Sequence, residues 1–215
     1  MKSLNDCYLY GIIDLGYVEA KNCERTAAHM IDGGVDLIQL RGKDKSIAQL
    51  VDLARELHEI TANAAVPLIV NDRAEVAREV PVEGVHVGQD DDSIAVAREK
   101  AGRPILIGKS THSLEQARTA QSEGADYIGF GPLFATPTKP DYKPIGLVEI
   151  KQVHADVTLP IFCIGGIKID NLAQVIAAGA RRVAIVSGLV KVNDVAQYAR
   201  GCKKLLTSDP VTSDL

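Results

Sequence analysis

Short apolar runs recur along the whole chain, and between them the apolar positions change to helical spacing. The runs at 8–14, 35–41, 67–71, 84–88, 104–110, 125–131, 160–165 and 182–187 have the length and composition of strands. Several contain unbroken apolar stretches: LIV at 68–70, ILI at 105–107, IFCI at 161–164 and VAIV at 183–186. A strand needs that pattern when both its faces are covered, as in a parallel sheet under helices. Of the intervening segments, one places Ile47, Leu50, Val51, Ala54 and Leu57 on a single helical face, and a later one does so with Leu172, Val175 and Ile176. Glycine marks three helix-to-strand joints, Gly34-Val35-Asp36, Gly124-Ala125-Asp126 and Gly179-Ala180-Arg181. There it can end a helix in the left-handed conformation and let a buried strand begin at once. Eight such units predict an α/β fold, a single (β/α)8 TIM barrel over residues 1–206, with an open doubly wound sheet as the structural alternative. Residues 207–215, TSDPVTSDL, are polar and aperiodic and read as a disordered tail.

A barrel of this kind gathers the C-terminal ends of its strands at one mouth, and that rule turns scattered polar residues into a site. Gln39, Arg41, Lys43, Asn71, Asp72, Asp91, Ser110, Gly165, Gly166 and Ser187 then share one rim. Strand alternation puts Gln39, Arg41 and Lys43 on a common side, where a guanidinium fork beside a mobile ammonium suits a diphosphate. Asp72 follows the third strand and Asp90-Asp91-Asp92 the fourth, so two carboxylates can meet as hard oxygen ligands for magnesium. Residue chemistry leaves Asp90 and Asp91 equally placed for that role, and one of the three aspartates is expected to cap the helix entering at Ser93. Ser110 can donate to phosphate or cap the helix near Ser113, and His112 reads as a supporting or capping residue as readily as a base. The connection at 131–146 is long for a tight barrel and carries Thr136, Thr138 and Lys139, so it reads as a lid. Gly165-Gly166 after strand seven and Ser187-Gly188 after strand eight fit the monophosphate site these barrels build from backbone N–H groups.

Composition narrows the partners. Hydrophobic residues make up 46% and charged residues 24%, with a net charge of -4, which supplies no field for nucleic acid or an anionic membrane. No apolar run approaches a membrane span, and the opening MKSLNDCYLYG has no signal-peptide core. Cys7, Cys23, Cys163 and Cys202 form no Cys-x-x-Cys pair and read as free thiols of a reducing cytoplasm. Neither a nucleophilic cysteine nor an acid/base carboxylate pair stands out. The chemistry favoured is therefore departure of a diphosphate stabilised by metal and cations while a second phosphorylated small molecule attacks. Monomer and homodimer both stay open.

The motifs QLRGK (39–43), NDR (71–73), GVHVGQDD (84–91), GKSTH (108–112), GADYIGFGP (124–132), TPTK (136–139), IGGI (164–167) and VS (186–187) together resemble the thiamine-phosphate synthase family. The resemblance runs from about Tyr8 to about Leu206, with the motifs in register with the strands. It implies a transferase joining a hydroxymethylpyrimidine diphosphate to a thiazole phosphate, carboxylated or not, with release of pyrophosphate through a dissociative, carbocation-like route. It further implies that Gln39, Leu40, Arg41, Gly42, Lys43, Asn71, Ser110 and Lys139 bind the pyrimidine diphosphate, and that Arg41, Lys43, Ser110 and Lys139 meet the developing charge. Asp72 and Asp91 would hold one Mg2+ per site, and Thr136, Pro137, Thr138, Gly166, Val186 and Ser187 the thiazole phosphate. The chain departs from the family in YGIID, where a threonine usually precedes the aspartate, and at Gly42, commonly acidic. A sister family of thiazole tautomerases shares the Ser-x-His-Ser-Leu-Glu stretch but has a histidine where this chain has Pro132 and usually lacks the aspartates after strand four. A non-catalytic barrel that binds a phosphorylated metabolite is the third reading, disfavoured by the full set of carboxylates and cations.

Overall fold

The computed structural model describes residues 2–138 and 142–208. Eight parallel strands pair in sequence order: β1 (Leu9–Asp14), β2 (Leu37–Arg41), β3 (Leu68–Asn71), β4 (Gly84–Val87), β5 (Leu106–Thr111), β6 (Tyr127–Phe130), β7 (Ile161–Ile164) and β8 (Val183–Ile185). Leu9↔Val183 and Gly11↔Ile185 pair β1 with β8 and close the ring, which excludes the open sheet. Helices α1 (Cys23–Asp32), α2 (Ile47–Asn63), α3 (Val76–Glu79), α4 (Ile94–Ala101), α5 (Leu114–Ser122), α6 (Ile150–Asp156) and α7 (Ile169–Ala177) each follow the strand of the same number. A turn of helix, α8 (Ser187–Val190), and then α9 (Val195–Thr207) follow β8.

Strand alternation divides the apolar residues into two cores. Tyr10, Ile12, Leu37, Ile69, Tyr127, Phe162 and Ala184 fill the barrel interior, while Leu9, Ile13, Ile38, Leu40 and Val70 face the helices. Gly34, Gly124 and Gly179 take positive φ (83°, 86° and 107°), as their positions between helix and strand require. On α2, Leu50, Val51, Ala54 and Leu57 are buried as expected, but Ile47 is 41% exposed, because it lies in the first turn, ahead of those that contact the sheet. β8 stops at Ile185, short of the predicted 187, because Ser187 begins α8. Thr207 belongs to α9 and not to the predicted tail; 209–215 lie outside the described residues. No helix among the described residues is long and apolar enough to cross a membrane. All four cysteines are free and buried.

The bottom of the barrel is fastened by Asp36, only 3% exposed. Its carboxylate accepts from the Tyr8 and Leu9 N–H groups at 2.8 and 3.0 Å and pairs with the ammonium groups of Lys2 and Lys203. Burial would raise its pKa, but the two lysines and two N–H groups outweigh burial and hold it below the ordinary 3.8. A depressed carboxyl stabilises the fold above its unfolded pKa, and that contribution is lost as pH falls through the folded value. Asp36→Asn is expected to cost roughly 2–3 kcal/mol at neutral pH, below the cost in a fully buried pair because the lysines are partly solvated. In urea melts the gap between variant and parent should narrow as pH drops below the carboxylate range. A gap independent of pH would remove the electrostatic account.

Candidate active site

Inside the barrel, alternation turns polar side chains from five strands towards one another. Gln39 Nε2 donates to Tyr10 Oη at 2.6 Å, and Tyr10 and Tyr127 share a hydrogen bond of 3.1 Å between their hydroxyls. His86 then links Tyr127 Oη (3.2 Å from Nδ1) to Ser110 Oγ (2.9 Å from Nε2). Burial pushes both phenols above their ordinary pKa, so they remain neutral hydrogen-bonding groups. Phe162 packs edge-on to both rings at centroid distances of 5.3 and 5.7 Å. This layer floors a cavity of about 270 Å3 whose upper wall contains Arg41, Asn71, Thr136, Gly166 and Ser187.

On the β7–β8 side the wall is backbone. Gly165 and Gly166 take φ of 100° and 66°, and a Cβ at Gly165 would lie 2.4 Å from Pro132 Cα. Leu133 N–H donates to Ile164 O (2.8 Å) and Phe134 N–H to Gly165 O (3.0 Å), so the start of the β6–α6 connection is sewn to the glycine turn. Asn171 clamps the turn from below, donating to Gly166 O at 3.0 Å and accepting from Lys168 N–H at 2.8 Å. Val186, Ser187, Pro137 and Thr138 complete this side, and Thr138 Oγ1 lies 3.1 Å from Tyr17 Oη across the mouth. Lys139 lies outside the described residues.

A second cavity, about 430 Å3, adjoins the first through Asn71, which lines both. Its walls include Gly42, Lys43, Asp72 and Asp91. The three consecutive aspartates have separate partners. Asp90 accepts from Tyr142 Oη (3.0 Å), Asp91 from Gly88 N–H (2.8 Å), and Asp92 pairs with Lys100 (2.8 Å). None of them caps α4, contrary to expectation: Ser93 does, accepting from Val96 N–H. Likewise Ser113 caps α5, leaving Ser110 to His86. His112 Nδ1 bonds to Gly131 O, its ring lies 4.8 Å from that of Tyr142, and it lines the first cavity.

The expected common side for Gln39, Arg41 and Lys43 is divided. Gln39 and Arg41 line the first cavity and Lys43 the second, because the chain leaves the strand pleat after Arg41. Arg41 is ion-paired with Asp14 at the end of β1. Leu40 points to the helix layer and lines neither cavity, so its side chain does not face the site expected of it. A Cβ at Gly42 would meet Leu15 Cδ1 at 2.7 Å, the end of a flexible side chain, and nothing in the structure explains the departure from an acidic residue there. Pro132 lines the first cavity.

Sequence reading passed over Tyr10, His86, Tyr127, Lys168 and Asn171. Inward alternation could have marked the first three. Lys168 and Asn171 stand two and five residues beyond Gly166, where the start of a helix brings them back over the cavity.

Comparison with known proteins bears on this geometry. The profile of the family described as thiamine monophosphate synthase matches residues 9–189. A thiamine-phosphate synthase of Chloroflexus aurantiacus is 43% identical over 94% of this chain and 94% of its own. One from Halalkalibacterium halodurans is 40% identical over 89% and 92%. Among solved structures, a thiamine phosphate pyrophosphorylase from Pyrococcus furiosus superposes with a TM-score of 0.85 at 31% identity, covering 94% of this chain and 96% of that one.

Proposed function

The chain belongs to the thiamine-phosphate synthase family, transferases of thiamine biosynthesis, and on that premise we propose that its two cavities divide the two substrates of a Mg2+-dependent condensation. The observation that carries the division is their junction at Asn71, between a polar chamber with Lys43, Asp72 and Asp91 and an aromatic-floored one with Gly166 and Ser187. The diphosphate of the pyrimidine substrate belongs over the polar chamber, and the thiazole phosphate on the glycine turn of the aromatic-floored one.

No group of three or more His, Cys, Asp or Glu side chains fit to hold a metal occurs among the described residues. Two carboxylates suit magnesium nonetheless, since it keeps waters and takes further oxygens from substrate phosphates. Asp72 and Asp91, hard oxygen donors facing one polar cavity, fit that role. When bound, the ion neutralises charge on the departing pyrophosphate. The remaining work falls to the chain's own groups. Lys43 and Arg41, with Lys139, supply cationic donors to the leaving group, and Ser110, held by His86, a hydroxyl. The methylene C–O bond breaks with its electron pair going to pyrophosphate, and the thiazole nitrogen lone pair forms the new C–N bond. Tyr10 and Phe162, buried at the floor of the first cavity, help exclude water from beneath a carbocation-like centre. The neutral, buried cysteines offer no thiolate: burial pushes Cys163 up to about 12. Those unpaired thiols also support a cytoplasmic location.

A coupled assay with both phosphorylated precursors and Mg2+ is expected to yield thiamine phosphate and pyrophosphate in equal amounts. Binding of both precursors by folded protein without product would convert the reading to a non-catalytic barrel. Isomerisation of the thiazole alone would favour the tautomerase.

A further inference from the structure

Lys109 is the unusual residue in the helix-facing layer of the barrel. It lies on β5 beside Ser110, on the same face as Ile107, and is only 7% exposed. Its Nζ donates to the Gly88 carbonyl at 2.7 Å, and no carboxylate reaches ion-pairing distance of it among the described residues. A buried ammonium held by a carbonyl is costly, and hydrophobic residues fill such positions more cheaply. What it holds is the turn that orients Asp91. The Gly88 N–H donates to Asp91 Oδ2 at 2.8 Å, while the Gly88 carbonyl, on the other side of the same Cα, takes the lysine. A Cβ at Gly88 would lie 2.6 Å from Asp91 Oδ2, so a side chain there would push the carboxylate aside. A reciprocal bond fixes the opposite flank: Gln89 Nε2 donates to the Ser110 carbonyl at 2.5 Å. Lys109 and Gln89 thus cross-stitch the β4 exit to the end of β5. Lys109 also borders a cavity of about 520 Å3 on the far side of Asp91.

We propose that Lys109 is a positioning residue that holds the Gly88 turn, and through it the Asp91 carboxylate, in the geometry that binds the divalent cation. The inference rests on the reading of Asp91 as a metal ligand. Groups that orient a metal ligand without touching the metal typically change metal affinity by about 10–100-fold when removed.

Mn2+ is the probe, titrated by electron paramagnetic resonance against the full chain with saturating pyrophosphate. Lys109→Met removes the donor at similar volume, and Lys109→Gln keeps a neutral amide should the methionine variant not fold. Both are expected to raise the Kd for Mn2+ about tenfold or more, with affinity for the thiazole phosphate unchanged. Lys109→Arg, which the neighbouring cavity has room for, should restore Mn2+ binding. Asp91→Asn is the control. If it weakens Mn2+ binding and the Lys109 variants do not, this inference is wrong and the metal reading stands. If Asp91→Asn has no effect, both fail. Equal loss of Mn2+ and thiazole phosphate affinity in the Lys109 variants would mean general loosening and would overturn the positioning role.

Discussion

Replacing Asp72 or Asp91 by asparagine is expected to lower turnover about a thousandfold or more, since a metal at a departing diphosphate supplies several kcal/mol and each 1.36 kcal/mol is tenfold. Asparagine is the informative substitution because of the backbone at Asp72. That residue has φ 62°, in the left-handed region, and its N–H donates to His86 O at 2.8 Å. Asparagine tolerates this conformation as aspartate does, whereas Asp72→Ala adds backbone strain of about 1–2 kcal/mol. The two variants therefore separate charge from strain: both lose activity, and only alanine lowers the melting temperature. Asp91→Asn keeps an acceptor for the Gly88 N–H and should leave stability intact. Turnover within tenfold of the parent in both asparagine variants, with the same dependence on Mg2+, would remove these carboxylates from the metal site.

Gly165→Ala should cost about 3–5 kcal/mol of stability, from the combination of steric overlap and a backbone conformation that favours glycine. The new Cβ would fall 2.4 Å from both Cα and Cβ of Pro132 and 3.0 Å from Leu133 N, at a φ of 100°. Relief requires the glycine turn to part from the β6–α6 connection, breaking the Leu133 and Phe134 hydrogen bonds to it. The melting temperature should drop by roughly 10 °C for a domain of this size. In protein that remains folded, KM for the thiazole phosphate should rise far more than KM for the diphosphate. A variant with parental melting behaviour would show that the turn and the connection are not locked together.

Much of this was legible in the order of residues. Unbroken apolar stretches such as IFCI and VAIV call for strands covered on both faces, and eight strand-like runs favour a barrel, but only the β1–β8 pairing excludes the open sheet. The strand-end rule brought Asn71, Asp72, Asp91, Ser110, Gly166 and Ser187 to the mouth. Less accessible was which side chain meets which. The Tyr10–Tyr127 hydrogen bond joins residues 117 positions apart, and depends on which level of the barrel each strand reaches. Nor could local chemistry sort Asp90, Asp91 and Asp92, whose partners Tyr142, Gly88 and Lys100 come from three different directions. Capping shows the same limit in small: Ser93 and Ser113 took the positions that neighbouring polar residues could equally have filled.

The Asp36 fastening has a bearing on how the barrel is made. It draws Lys2, the start of β1 and Lys203 on α9 to one carboxylate at the foot of β2, so the helix that follows β8 is tied to the β1–β2 ladder. On a ribosome the β1–β8 ladder is the final one that can form, because β8 and α9 emerge after every other strand. Until then β1 presents an unpaired edge, the kind of surface that recruits other chains. The Tyr8 and Leu9 N–H groups that Asp36 accepts lie at the start of β1, so that contact needs neither β8 nor α9. The same carboxylate can therefore pin the start of β1 to β2 during synthesis and tie in α9 when Lys203 arrives.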